Sequence, residues 1–122
     1  MIFKRKKISD KKLMRESHLK NLMVLAMADG HLSEIEEHFM ESVAHRLGFS
    51  QIEFDAIKED IESIKFVLPE KYDERIEQFN DLLSLMAVDG KIDPEEEEIC
   101  KKFATKYELM DSVYDELIAR HQ

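Results

Sequence analysis

Apolar side chains recur every three or four residues along most of the chain, which is the spacing of helices that bury one face. Tyr72, Ile76, Phe79, Leu83 and Met86 mark one such face. Ile35, Phe39, Val43 and Leu47 mark a second, and Ile99, Phe103 and Tyr107 a third. Phe54, Ile57, Ile61 and Ile64 continue the series, which Val113, Tyr114, Leu117 and Ile118 close. No stretch alternates with period two over a strand's length. The polar punctuation agrees. Asp29-Gly30 and Asp89-Gly90 read as helix stops, glycine supplying the left-handed cap. Ser33 with Glu36 and Ser50 with Glu53 read as capping boxes, as does Asp93-Pro94 with Glu96. The pattern predicts a first helix from about Asp10 to Ala28 and a counterpart from about Glu70 to Val88, with Pro69 suited to the latter's first turn. The expected fold is all-α, with about six helices.

A shift of sixty residues lays the chain on itself without a gap. Leu22 falls on Leu82, Leu25 on Leu85, Asp29 on Asp89 and Gly30 on Gly90. Glu36 falls on Glu96, Glu37 on Glu97, Ala44 on Ala104 and Asp55 on Asp115. Self-similarity at a fixed period marks a repeated supersecondary unit. Two three-helix units, about 10–66 and 69–122, are expected to pack into one helical domain behind a basic, flexible tail at 1–9.

Charge narrows the partners. The 122 residues carry 18 Lys and Arg against 27 Asp and Glu, a net of −9. Six of the basic side chains, Lys4, Arg5, Lys6, Lys7, Lys11 and Lys12, stand within the first twelve residues. The body that follows is strongly acidic and repels phosphate backbones, so nucleic acid is not an expected partner. The longest apolar run, residues 22–28, is far short of the roughly 20 residues of a membrane span. No signal-peptide h-region follows the basic start. The single Cys100 suits a reducing, cytoplasmic setting.

Four carboxylates stand apart from the solvated surface. Asp29 and Asp89 sit at helix C-termini, where the macrodipole disfavours negative charge. Glu36 and Glu96 fall among the apolar side chains of their helices, where a carboxylate must be capped, paired or liganded. Capping accounts for both glutamates, because each can reach back to a backbone N–H. Metal ligation is the other reading. Asp-Gly-x-(Leu/Ile)-x-x-x-Glu is the second half of an EF-hand loop, but its first half would need Leu25 and Met27, or Leu85 and Ala87, as ligands. A normal EF-hand is excluded. If the two half-sites faced each other, Asp29, Glu36, Asp89 and Glu96 would pool into one oxygen-rich site, favouring Ca²⁺ or Mg²⁺ over Cu or Zn.

Ala28-Asp29-Gly30-His31-Leu32-Ser33-x-x-Glu36, running on to Val43-Ala44-x-x-Leu47-Gly48-Phe49-Ser50, resembles the signature of the TerB-like family. That family includes the tellurite-resistance protein TerB and the N-terminal domain of DjlA-type membrane co-chaperones. Val88-Asp89-Gly90-Lys91-Ile92-Asp93-Pro94-x-Glu96 looks like a second copy, and the resemblance spans about residues 19–118. It implies an all-helical fold of two similar halves and no enzymatic activity. It also implies a role in tellurite or stress resistance, suspected metal binding at Asp29, Glu36, Asp89 and Glu96, and protein partners that include membrane-associated complexes. The other expected function is a metal-free acidic interaction module.

The remaining constellations read as structural. Glu34, His38, Glu41 and His45 line a face opposite the apolar one and have no counterpart in the second unit, so they are expected to face solvent. Cys100 borders an apolar face and is expected to be a buried, inert thiol. Met23, Met27, Met40 and Met86 are expected in the core. His18, His31 and His121 have no partner by spacing.

Overall fold

The computed structural model describes the backbone of residues 2–27, 30, 32–88, 90 and 92–121, and the side chains of those from Lys11 onward. Among the described residues there are six α-helices and no strand. They are α1 (Ile2–Ala26), α2 (Glu34–Arg46), α3 (Gln51–Glu59), α4 (Tyr72–Ala87), α5 (Pro94–Lys106) and α6 (Asp111–Arg120). α1 packs most extensively on α4. α2 lies against α1, α3 and α4, and α5 lies against α4.

The sixty-residue repeat is visible in the elements. α2 and α5 start and stop at equivalent positions, and α3 and α6 begin at equivalent positions. The caps repeat atom for atom. Glu36 N–H donates to Ser33 Oγ at 3.1 Å and Ser33 N–H to Glu36 Oε1 at 3.0 Å. Glu96 N–H donates to Asp93 Oδ1 at 2.8 Å and Asp93 N–H to Glu96 Oε1 at 3.1 Å. After α2, Phe49 N–H reaches the Ala44 carbonyl at 2.9 Å; after α5, Leu109 N–H reaches that of Ala104 at 3.0 Å. Burial repeats as well. Leu22, Leu25, Met40, Val43, Ala44 and Ile57 are buried, as are Leu82, Leu85, Cys100, Phe103, Ala104 and Leu117 at the equivalent positions.

Several boundaries differ from the sequence reading. α1 begins at Ile2 rather than near Asp10, so the basic segment 1–9 continues the helix backbone from Ile2 instead of preceding it. It holds no Gly or Pro to stop a helix, and Lys and Arg propagate one well. α3 ends at Glu59, and Ile61–Ser63 form a 3₁₀ turn, so Ile61 and Ile64 do not extend the helix. The connector after it is held by α1 instead: Lys20 Nζ donates to the Ile64 carbonyl, and Val67 N–H donates to Ser17 Oγ at 2.9 Å. Lys106 Nζ also sits 4.6 Å from the centre of the Phe66 ring. Pro69 precedes α4 rather than opening it. Ile35 and Met27, expected in the core, are 50% and 43% exposed, because each sits in a terminal turn beside the inter-helix loop. Met40 and Met86 are buried and Met23 packs against the core, as expected. Glu34, His38 and His45 face solvent, and Glu41 is half-buried.

One position of the repeat is strained in the second unit only. The residue after the α2 cap is Gly48, with φ +92°; its equivalent after α5 is Glu108, with φ +54°. A left-handed backbone is free for glycine and costs another L-residue about 1 kcal/mol. Nothing lies within 4 Å of a Cβ placed on Gly48, so only the backbone conformation resists a side chain there. Glu108→Gly is therefore expected to stabilise by about 0.5 kcal/mol and Gly48→Ala to destabilise by about 1 kcal/mol. Urea denaturation of the two variants checks the opposite signs.

Candidate functional site

The Asp-Gly turns link α1 to α2 and α4 to α5, so each unit presents its capping glutamate at the same point of the fold. Gly30 N–H donates to the Met27 carbonyl at 2.8 Å and Gly90 N–H to that of Ala87 at 3.0 Å. Both glycines have positive φ, as the stops require. Glu36 and Glu96 are half-buried in the first turns of α2 and α5, where the positive helix ends favour their charge. Each capping box occupies Oε1 alone.

The two glutamates come from different units and sense each other. Burial pushes the Glu96 carboxyl up, and the hydrogen bond from the Asp93 amide pulls it down. The charges of Asp93 and Glu36 push it up again, leaving it above the usual carboxylate range. Asp29 and Asp89, the other half of the expected set, lie outside the described residues, as does His31. Among the described residues there is no group of three or more His, Cys, Asp or Glu side chains arranged to hold a metal ion.

The seam between α1 and α4 carries a second, unforeseen arrangement. His18 is 2% exposed, and its Nε2 lies 2.8 Å from Asp81 Oδ2 on α4. Arg46, at the end of α2, donates to the same oxygen. Burial raises the Asp81 carboxyl, but the hydrogen bonds and charges of His18 and Arg46 outweigh it and hold the group below its ordinary range. The repeat places Asn21 at the position of Asp81, Gln78 at that of His18 and Tyr107 at that of Leu47. There Asn21 Nδ2 donates to the Tyr107 hydroxyl at 3.0 Å, which donates to Gln78 Oε1 at 2.9 Å. One unit thus closes the seam with charge and the other with amides and a phenol. Spacing hid both clusters, because the partners sit on different units. The available signal was His18 and Asn21 standing in register with Leu22 and Leu25. His121 also has a partner, Asn80 Oδ1 at 2.9 Å.

Cys100 is buried against Met86, and burial with the charges of Glu96 and Glu97 pushes its thiol up to about 12. It is a packed side chain rather than a nucleophile. The described surface also holds two clefts. One, of about 650 Å³, lies between Leu13 on α1, Ile57 on α3 and Phe66 in the connector. The other, of about 530 Å³, opens beside His18 and Asp81. No helix among the described residues is long and apolar enough to cross a membrane.

Residues 5–59 match the family model of tellurite resistance protein TerB. The chain is TerB-like. The match lies on the first unit, and the second repeats its caps and burial at the sixty-residue shift. The TerB family is not a known enzyme family. No curated protein and no solved structure matches the chain.

Two outcomes follow for the seam and the thiol. Asp81 has a lowered carboxyl, so its contribution is present above the ordinary carboxylate range and is lost as pH falls through the lowered value. Asp81→Ala should cost about 2–3 kcal/mol at pH 7, and the gap to the unsubstituted protein should close in acid. Urea denaturation across that pH range reads it. Cys100 should resist a thiol reagent at pH 8 in the folded protein and react at once in denaturant.

Proposed function

We propose that this chain is a non-enzymatic, TerB-like binding module of the stress and tellurite-resistance type. In this reading its two Asp-Gly-x-x-x-x-x-Glu turns pool Asp29, Glu36, Asp89 and Glu96 around one divalent cation, Ca²⁺ or Mg²⁺. The observation that carries the reading is the approach of Glu36 to Glu96 across the two units. Two carboxylates that raise each other's cost of ionisation are what a hard cation relieves. The oxygen-only donor set suits such a cation, and the turns are held by caps that leave Oε2 out of the box.

A second reading has its own support. The capping boxes alone account for the positions of both glutamates, and Asp93, Glu95 and Glu98 stand exposed on α5. A metal-free module would use that acidic surface to meet a basic or membrane-associated protein partner, and salt would weaken it strongly. Cation dependence separates the two readings.

Glu96 has a raised carboxyl, so its favourable contribution is present at acidic pH and is lost as pH rises through the raised value. A bound cation would offset that loss. Ca²⁺ or Mg²⁺ should therefore raise Tm at pH 7 but not at pH 4. At a concentration 100 times Kd the gain is about 2.7 kcal/mol. Asp29→Asn combined with Asp89→Asn should abolish binding in calorimetric titration and leave the helical circular dichroism unchanged. Unaltered cation affinity in that double variant overturns the metal reading.

A further inference from the structure

The repeat supplies an internal control for a pair of buried nitrogens on α1. Arg15 and Arg75 are equivalent, as are His18 and Gln78. In the second unit both are satisfied: Arg75 Nε donates to the Pro69 carbonyl at 2.6 Å, and Gln78 Oε1 accepts from the Tyr107 hydroxyl at 2.9 Å. In the first unit Arg15 Nε and His18 Nδ1 are buried and have no hydrogen-bond partner among the described residues. The other ends of both side chains are fixed. Arg15 donates from its terminal nitrogen to the Leu47 carbonyl at 3.3 Å, and His18 Nε2 meets Asp81. The two unpartnered nitrogens are one helical turn apart, and both residues line the cleft of about 530 Å³.

Their chemistry sets what they face. A guanidinium only donates, so the group opposite Arg15 Nε is an acceptor. Asp81 is an acceptor when ionised, so the shared proton belongs to His18 Nε2, and Nδ1 takes up a second proton opposite an anion. A carboxylate accepts from both nitrogens, and arginine suits that planar group. Glu74 and Glu77 on α4 line the same cleft and would repel a bare anion, while Arg46 is engaged by Asp81. We propose that this cleft binds a small molecule of the amino-acid class, its carboxylate on Arg15 and His18 and its ammonium toward Glu74 and Glu77. The site is separate from the Asp-Gly turns and does not rest on cation binding there.

The experiment is a ¹⁵N NMR titration of the full chain with L-lysine and L-alanine, following Arg15 Nε and the His18 ring. Succinate, methylamine and inorganic phosphate serve as comparison probes at matched ionic strength. Saturable shifts at both nitrogens are expected with an amino acid at millimolar concentration, with protonation of His18 Nδ1. Arg15→Gln should weaken binding about tenfold or more. His18→Gln places the second unit's own residue in the first, so it should keep the fold by circular dichroism and still lose affinity. Amino-acid shifts that do not saturate, or an affinity unchanged by both variants, overturn the proposal. So does binding of phosphate, or of succinate as tight as that of the amino acid.

Discussion

α1 and α4 share the centre of the molecule, and their seam must bury His18, Asn21, Gln78 and Asp81 along with the leucines. Each of these polar groups would cost free energy if left dry and unpaired. The fold solves this by pairing across the repeat: His18 of the first unit bonds Asp81 of the second, and Asn21 of the first reaches Tyr107 and Gln78 of the second. Neither unit can satisfy these groups alone. The seam therefore fixes how the halves sit, and that geometry brings the two Asp-Gly turns to bear on one another.

Duplication explains what is alike, and divergence marks where the halves have taken different work. The capping boxes are alike because every helix start leaves the same orphan N–H groups. The seam clusters are not alike. The second unit's is neutral and closed, whereas the first unit's is charged, titratable and open to a cleft. Glu108 in place of Gly48 is a divergence of another kind, a small backbone strain that the surrounding core tolerates.

The helices, their caps and the repeat were legible in the sequence because each rests on local rules: three-to-four periodicity, S-x-x-E boxes and glycine stops. The adjacency of Glu36 and Glu96 was only conditional on how the units pack. The His18 and Asn21 clusters were not legible, since their partners are more than sixty residues away and bear no spacing signal. Ile61 and Ile64 misled for the same reason. Their periodicity continues a helix, but Lys20 and Ser17 capture the connector backbone from a distance. Met27 and Ile35 show the limit of a wheel drawn to a helix's end, where one side has no neighbour to pack on.

The central claim is that the two units bring their capping glutamates within each other's field. The most direct measurement is the Glu96 carboxyl titration by ¹³C NMR, in the unsubstituted protein and in Glu36→Gln, in metal-free buffer. Glutamine keeps the capping box, so the fold is retained. The account predicts that Glu96 titrates above the ordinary glutamate range and moves back toward it when the Glu36 charge is removed. A Glu96 titration that Glu36→Gln leaves unchanged would contradict it, because the two turns would then be independent caps on one scaffold.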